Sequence, residues 1–215
     1  VFYSIIYYNY LRNHNQLVSS LDNQGNSVFI SQNAGRVNTL GLELGASFRT
    51  NRNFRADFNL NLNFSQNRFT QEIITDSTTF ETANREFEVP LPHSPEILAH
   101  MKLSRRISKR LGLWGGLNFR YLSRTVPDVS INEFGQRTPN GVPISGYTVT
   151  DLNLRLAALG KSGVLKQSHL QLQISNITNS AIQYPTTGNN SSWADLGSPG
   201  YGRRLFLTLG VRLNQ

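Results

Sequence analysis

Residues 54–65, FRADFNLNLNFS, alternate without a fault. Phe54, Ala56, Phe58, Leu60, Leu62 and Phe64 fall on one side; Arg55, Asp57, Asn59, Asn61, Asn63 and Ser65 fall on the other. A repeat of two gives each set its own face of a β-strand. The same alternation returns at 40–48, 97–104, 113–121, 151–156, 170–175 and 204–213. With the aromatic opening VFYSIIYYNYL, these segments predict eight strands. No stretch carries a 3.6-residue stripe, so the chain reads as all-β.

The connections sort into two kinds. TNRN (50–53), RISKR (106–110) and ALGKSGVLKQ (158–167) are short, whereas 12–27, 69–90, 126–145 and 178–199 are long and rich in Asn, Ser, Thr, Gly and Pro. Short and long alternate strictly, so up-and-down antiparallel order puts every short turn at one end and every long loop at the other. Long loops are uncommon in compact soluble domains and routine in membrane β-barrels. Strand length points the same way. Residues 54–65 span ~36 Å at ~3.3 Å per residue, and a tilt of about 45° leaves ~25 Å, the height of a barrel's apolar band. The predicted fold is an antiparallel up-and-down transmembrane β-barrel, with residues 1–215 as a single barrel segment.

The polar faces are built from Asn, Gln, Ser, Gly and Arg, which suits a hydrated lumen, and the leucine-rich faces then meet lipid. Glu43, Asp57, Lys102, Arg120, Asp151 and Arg155 all share the polar parity. An Arg or Lys at mid-membrane on the lipid face would cost ~2–4 kcal/mol, and the alternating apolar sets carry none. A soluble sandwich is the competing reading, and the asymmetry of the connections weighs against it.

Composition alone would pass for a soluble protein: 38% hydrophobic, 16% charged, mean hydropathy -0.34. No apolar run is long enough for a membrane-spanning helix, a test that says nothing of barrels. Cysteine is absent, which removes disulfides and thiolate metal sites. The net charge of +8 invites a nucleic-acid reading. However, the basic residues cluster in short turns and strand ends (Arg49, Arg52, Arg55, Arg105, Arg106, Lys109, Arg110, Lys161, Lys166), and acids gather in the long connections (Glu72, Asp76, Glu81, Glu86, Glu88). Opposite signs at opposite strand ends fit a membrane object and no nucleic-acid partner. The start at Val1, without Met or leader, is expected for a mature chain or an excised fragment.

Tyr121, Tyr147, Tyr184 and Tyr201, near strand ends, fit interfacial girdles or ordinary packing under loops. Gly41, Gly45, Gly115 and Gly116 read as relief of crowding where a sheet curves. His14, His93, His100 and His169 show no paired ligand spacing, so no metal and no cofactor is expected. Ser104 and His100 share a polar face but stand ~13 Å apart along one strand, too far for a catalytic hydrogen bond; no enzyme activity is expected.

Several stretches together resemble the C-terminal barrel of TonB-dependent outer-membrane receptors. NAGRVNTLGLELGASFR (33–49) resembles their Asn-Gly approach and G-x-E strand, and VPLPHSPEILAHMKLS (89–104) their Pro-rich strand entry. ISGYTVTDLNLRL (144–156) is similar to the GY…D strand, LQLQISNITNSAIQYP (170–185) to the penultimate strand, and GSPGYGRRLFLTLGVRL (197–213) to the closing one. The resemblance implies a 22-stranded barrel of which these are the last eight strands. It also implies a plug and transducer-binding segment outside 1–215, and a place in the bacterial outer membrane against lipid bilayer and lipopolysaccharide. Its partners would be the N-terminal barrel strands and plug of the same receptor, the TonB energy transducer and a small nutrient ligand. The function so implied is TonB-dependent active uptake of a scarce nutrient such as siderophore-bound iron. Loop residues Arg137, Tyr184 and Trp193 are candidates to touch that ligand. The ending Leu213-Asn214-Gln215 departs from the family's usual terminal aromatic. The alternative is a self-contained eight-stranded barrel serving as structural anchor or adhesin.

Overall fold

The computed structural model describes residues 1–21, 27–50, 53–76, 78–79, 81–140, 142–157, 168–184 and 198–211, without the side chains of 14–21, 27–34, 128, 140 and 198. Among these residues every regular element is a strand. Eight form an antiparallel meander: β1 (Phe2–Leu21), β2 (Ser27–Arg49), β3 (Phe54–Asp76), β5 (Ile97–Ser108), β6 (Leu113–Leu122), β9 (Tyr147–Ala157), β10 (His169–Ser175) and β13 (Arg204–Gly210). A further strand, β4 (Glu81–Pro90), pairs with the far half of β3. Two short hairpins, β7 (Asp128–Ile131) with β8 (Arg137–Asn140) and β11 (Gln183–Tyr184) with β12 (Ser198–Pro199), stand apart from the main sheet. Among the described residues the sheet is open, with β1 and β13 at its two ends and not paired with each other.

The registers line up the apolar residues as the alternation demands. Ile6, Leu42, Leu62 and Ile97 form one cross-strand row, and Leu44, Leu60 and Ala99 the next. On the other side Leu117, Leu152, Ile174 and Leu205 continue the belt. A one-residue slip would turn every leucine inward. None of these side chains is in the buried set: Ile6 is 77% exposed, Leu205 67% and Leu207 69%. A contiguous apolar surface on that scale marks a membrane or an interface. The buried hydrophobic residues among those described (Val37, Phe69, Ile73, Phe87, Val89, Ile131, Ile144 and Val149) all lie toward the long-loop end.

The opposite face is a web of polar side chains. The Tyr3 hydroxyl donates to Glu43 at 2.9 Å and accepts from Asn59 Nδ2 at 2.8 Å. Tyr7 donates to Asn61 at 3.3 Å and also bonds Asn63. Ser47 donates to Asp57 at 2.8 Å, and Arg55 pairs with Asp57 at 2.7 Å. The glycines of β2 acquire a reason here that differs from relief of curvature. A Cβ on Gly41 would stand within the Tyr7 ring, and one on Gly45 within the Tyr3 ring. Each glycine is the seat on which a tyrosine from β1 lies flat across the sheet, a pairing known to shore up glycines at sheet edges.

At the short-turn end Asn53 (φ 59) and Gly112 (φ 61) supply the left-handed residues that tight reversals need. The β5–β6 turn spans residues 109–112, a little later than 106–110, because a bulge between Arg106 and Ser108 prolongs β5. The short connection 158–167 lies outside the described residues.

Where they are described, the long connections hold more strand than their polar composition suggests. β1 runs on to Leu21 and β2 starts at Ser27, so most of 12–27 is strand. Residues 69–90 are not a loop but a hairpin, β3–β4, rising beyond the apolar belt. Asp76 caps its tip by accepting the amides of Thr78 (2.7 Å) and Thr79 (3.3 Å), which holds its carboxyl below the usual range. Within 126–145 sits the β7–β8 hairpin, and β11 and β12 lie within 178–199. The physical reason is a switch of face. Below Asn67 the odd-numbered residues of β3 are polar; above it Phe69 and Ile73 are apolar, and with Phe87, Val89 and Ile131 they form a buried cluster. Gln71 fastens β7 to this cluster by donating to the Ile131 carbonyl at 3.0 Å.

Candidate functional site

At the long-loop end, on the polar face of β6, β9, β10 and β13, the chain encloses a cavity of about 120 Å³. Two sequence stretches supply most of its lining, and Arg120 and Leu122 of β6 with Tyr201, Gly202 and Arg204 at the entry of β13 complete it. Tyr147, Val149 and Asp151 come from GYTVTDL at the start of β9; Ser175, Asn176 and Tyr184 come from ISNITNSAIQY at the exit of β10. The second stretch folds through asparagine: Asn176 (φ 53) and Asn179 (φ 54) adopt the left-handed conformation that Asn tolerates. Asn176 then closes a small ring, donating to the Ser180 carbonyl and accepting from the Ser180 amide, both at 2.9 Å. Asn179 accepts from the Arg203 amide at 3.1 Å, which ties the entry of β13 to the exit of β10.

Asp151 joins the two stretches. Its Oδ1 accepts the backbone N–H of Asn176 at 2.9 Å, and its Oδ2 pairs with Arg120 of β6 at 3.0 Å. The carboxylate is 7% exposed and the arginine 51%, so the pair spans the cavity wall from inside to rim. Arg204 stands across from it with its guanidinium over the rings of Tyr201 (4.4 Å) and Phe206 (5.5 Å). Among the described residues Arg204 has no carboxylate partner. The lining therefore holds one arginine paired with a carboxylate, one held over aromatic rings, and three tyrosines, Tyr147, Tyr184 and Tyr201. That chemistry favours an anionic or aromatic group. The volume is below the ~300–1,000 Å³ of pockets that bury a whole small ligand, so the cavity has room for a single functional group.

Of the residues singled out from sequence, Tyr184 lines this cavity and is 47% exposed. Arg137 opens β8, exposed and paired in register with Ile131, away from the cavity lining. Trp193 lies outside the described residues. Of the candidate girdle tyrosines, Tyr121 takes the outward face opposite Thr148 and Ala99, whereas Tyr147, Tyr184 and Tyr201 turn to the cavity. Arg120, Asp151 and Arg204 were legible as polar-face residues but not as a group, because 84 residues of chain separate the first from the last. Their only shared signal was parity.

Residues 2–180 match the protein family described as TonB dependent receptor-like, beta-barrel. The chain belongs to that family. Its fold is also that of solved transporters. The copper transporter OprC shares 15% identity with a TM-score of 0.60, covering 97% of this chain and 28% of that one. The FrpB iron transporter from Neisseria meningitidis (F5-1 variant) shares 21% with a TM-score of 0.59, covering 97% and 28%. The F3-3 variant shares 20% with a TM-score of 0.58, covering 96% and 27%. No curated relative matches the sequence. The chain thus spans little more than a quarter of the length of these transporters, and as a family member it carries a stretch of barrel wall. In that wall β9 and the exit of β10 meet at the Asp151–Asn176 bond.

Proposed function

We propose that residues 1–215 are the C-terminal wall of an outer-membrane receptor that takes up a scarce, metal-bearing nutrient, a siderophore complex or similar, with energy from TonB. Family membership carries this reading, and the neighbours' names, a copper and an iron transporter, support a metal-bearing cargo. The cavity at the long-loop end would offer Arg204, Arg120 and the tyrosines to one anionic or aromatic arm of the ligand as it enters from outside. Arg137, Tyr184 and Trp193 would add contacts from the surrounding hairpins and loops. The short turns would face the periplasm. The remaining strands, the plug and the TonB-binding segment would be partners supplied by the rest of the receptor, and the protein would act as a transporter without catalysis.

The test is uptake of ⁵⁵Fe carried by a panel of siderophores into cells with and without the gene, under iron limitation. Accumulation should require the gene, an intact transducer and a proton gradient. Uptake that persists in cells lacking the transducer would overturn the reading.

A further inference from the structure

The β7–β8 hairpin springs from the wall beside the cavity but leans away from it. Its root lies between β6 and β9, where Thr125 and Ile144 exchange backbone hydrogen bonds at 3.0 and 3.1 Å. Its tip reaches β3, where the Ile74 amide donates to the Glu133 carbonyl at 2.7 Å. The sheet order here is β3-β5-β6-β9, so the hairpin slants across the top of β5. The cavity lies on the other side of its root, against β9, β10 and β13.

Three attachments hold the hairpin along its whole length. At the root the His93 amide donates to the Val126 carbonyl at 3.0 Å, which ties in the connection between β4 and β5. At mid-length Ile131 joins Phe69, Ile73, Phe87 and Val89 in the buried cluster, Val129 packs against them, and the buried Gln71 donates to the Ile131 carbonyl. At the tip Asn132 cinches a turn, its Oδ1 accepting the amides of Phe134 (3.1 Å) and Gln136 (2.8 Å). Gly135 (φ 74) of that turn approaches the cluster so closely that a Cβ there would stand 3.3 Å from Ile73 and 3.5 Å from Phe87. The seat is on the polar, lumen-facing side. Pairing of β3 is uninterrupted with β2 from Arg55 to Phe69 and with β4 from Gln66 to Ile74, so Phe69, Gln71 and Ile73 share the face of Asn59, Asn61 and Asn63. Segments that open and close are drawn from parts with few buried apolar contacts. Lifting this hairpin would instead uncover the cluster and strand the Gln71 amide, and both changes are unfavourable.

We propose, on the uptake reading given under Proposed function, that the β7–β8 hairpin is a fixed strut and not a lid. It stays docked on β3–β4 while cargo enters, so the cavity around Asp151 is formed and open before cargo arrives. Selection at that cavity then comes from its preset lining and not from closure of this hairpin over it. Binding to a preformed site spares the ordering cost that a closing loop would add.

Residues 1–215 contain no cysteine, so a lock can be built at the tip. In the full-length receptor, Ile74→Cys with Glu133→Cys puts thiols on two residues already joined by a backbone hydrogen bond, and oxidation or a short bismaleimide should link them in resting cells. ⁵⁵Fe supplied with each siderophore of the panel should then accumulate to within about twofold of the unlocked receptor, whereas a lid held shut would cost about tenfold or more. Such a loss, reversed by reductant, would overturn the proposal, as would a pair that neither reagent links. A second measurement needs no transported cargo. Nitroxides at Asn84→Cys in β4 and Thr138→Cys in β8, both exposed positions, should give one narrow distance by pulsed EPR of the detergent-solubilised receptor, unchanged by the same siderophores. Phe87→Ala, which empties part of the seat, should broaden it. Two distances in the resting receptor, or a shift on adding a siderophore, would sink the strut. The uptake reading fails separately, as an unlocked receptor that transports no siderophore or transports without the transducer, and the distance measurement still decides whether the hairpin is fixed.

Discussion

Asp151 offers the sharpest perturbation, because its two oxygens do separable jobs. Replacing it by alanine strands the Asn176 N–H, which belongs to a residue only 2% exposed. A buried donor without a partner costs ~1–3 kcal/mol. The same change frees Arg120, whose side chain is half in solvent and regains water, so that part adds less than about 1 kcal/mol. Asp151→Ala should therefore destabilise by about 2–3 kcal/mol. Asp151→Asn keeps an oxygen for the Asn176 amide and loses only the ion pair, so about 1 kcal/mol or less is expected. The assay is a urea series read by the gel mobility of folded and unfolded protein in lipid vesicles. With a slope of ~1–3 kcal/mol per molar urea, Asp151→Ala should lower the midpoint by roughly 1 M and Asp151→Asn by less than half of that. If the two variants shift equally, the charge matters and the captured amide does not, and the role assigned to Asp151 is wrong.

Two further perturbations test the faces of the sheet. Leu60→Arg, at the middle of the apolar belt, should destabilise the inserted protein by ~2–4 kcal/mol in vesicle unfolding, while Asn61→Arg, one residue along on the other face, should change it by less than ~1 kcal/mol; similar costs at both positions would mean the outward face does not meet lipid. Gly45→Val should cost ~1–3 kcal/mol by driving the Tyr3 ring off its seat, and in a Tyr3→Ala background the same change should be nearly neutral. An undiminished cost without the ring would show that Gly45 serves the backbone instead.

The strands were readable from the chain because their pattern is local. A repeat of two, with leucine on one parity and asparagine on the other, is complete within ten residues, and it set the number, direction and faces of the eight wall strands before any partner was known. The alternation of short and long connections set which ends face together. The long connections misled for the same reason. Gly, Asn and Thr signal turns, yet the inner parity of β3 changes character at Phe69, and burial of Phe69, Ile73 and Phe87 against β7 is worth more than local turn propensity.

Other features depended on tertiary structure altogether. That Gly41 and Gly45 seat Tyr7 and Tyr3, that Asp151 meets Asn176, and that Arg12, Arg36 and Arg68 form a row follow from register between strands. Register arises from the sum of many weak cross-strand contacts, so residues far apart in the chain become neighbours only once the whole sheet has settled. One chain position therefore determines which face a side chain takes, and the assembled sheet determines what it touches.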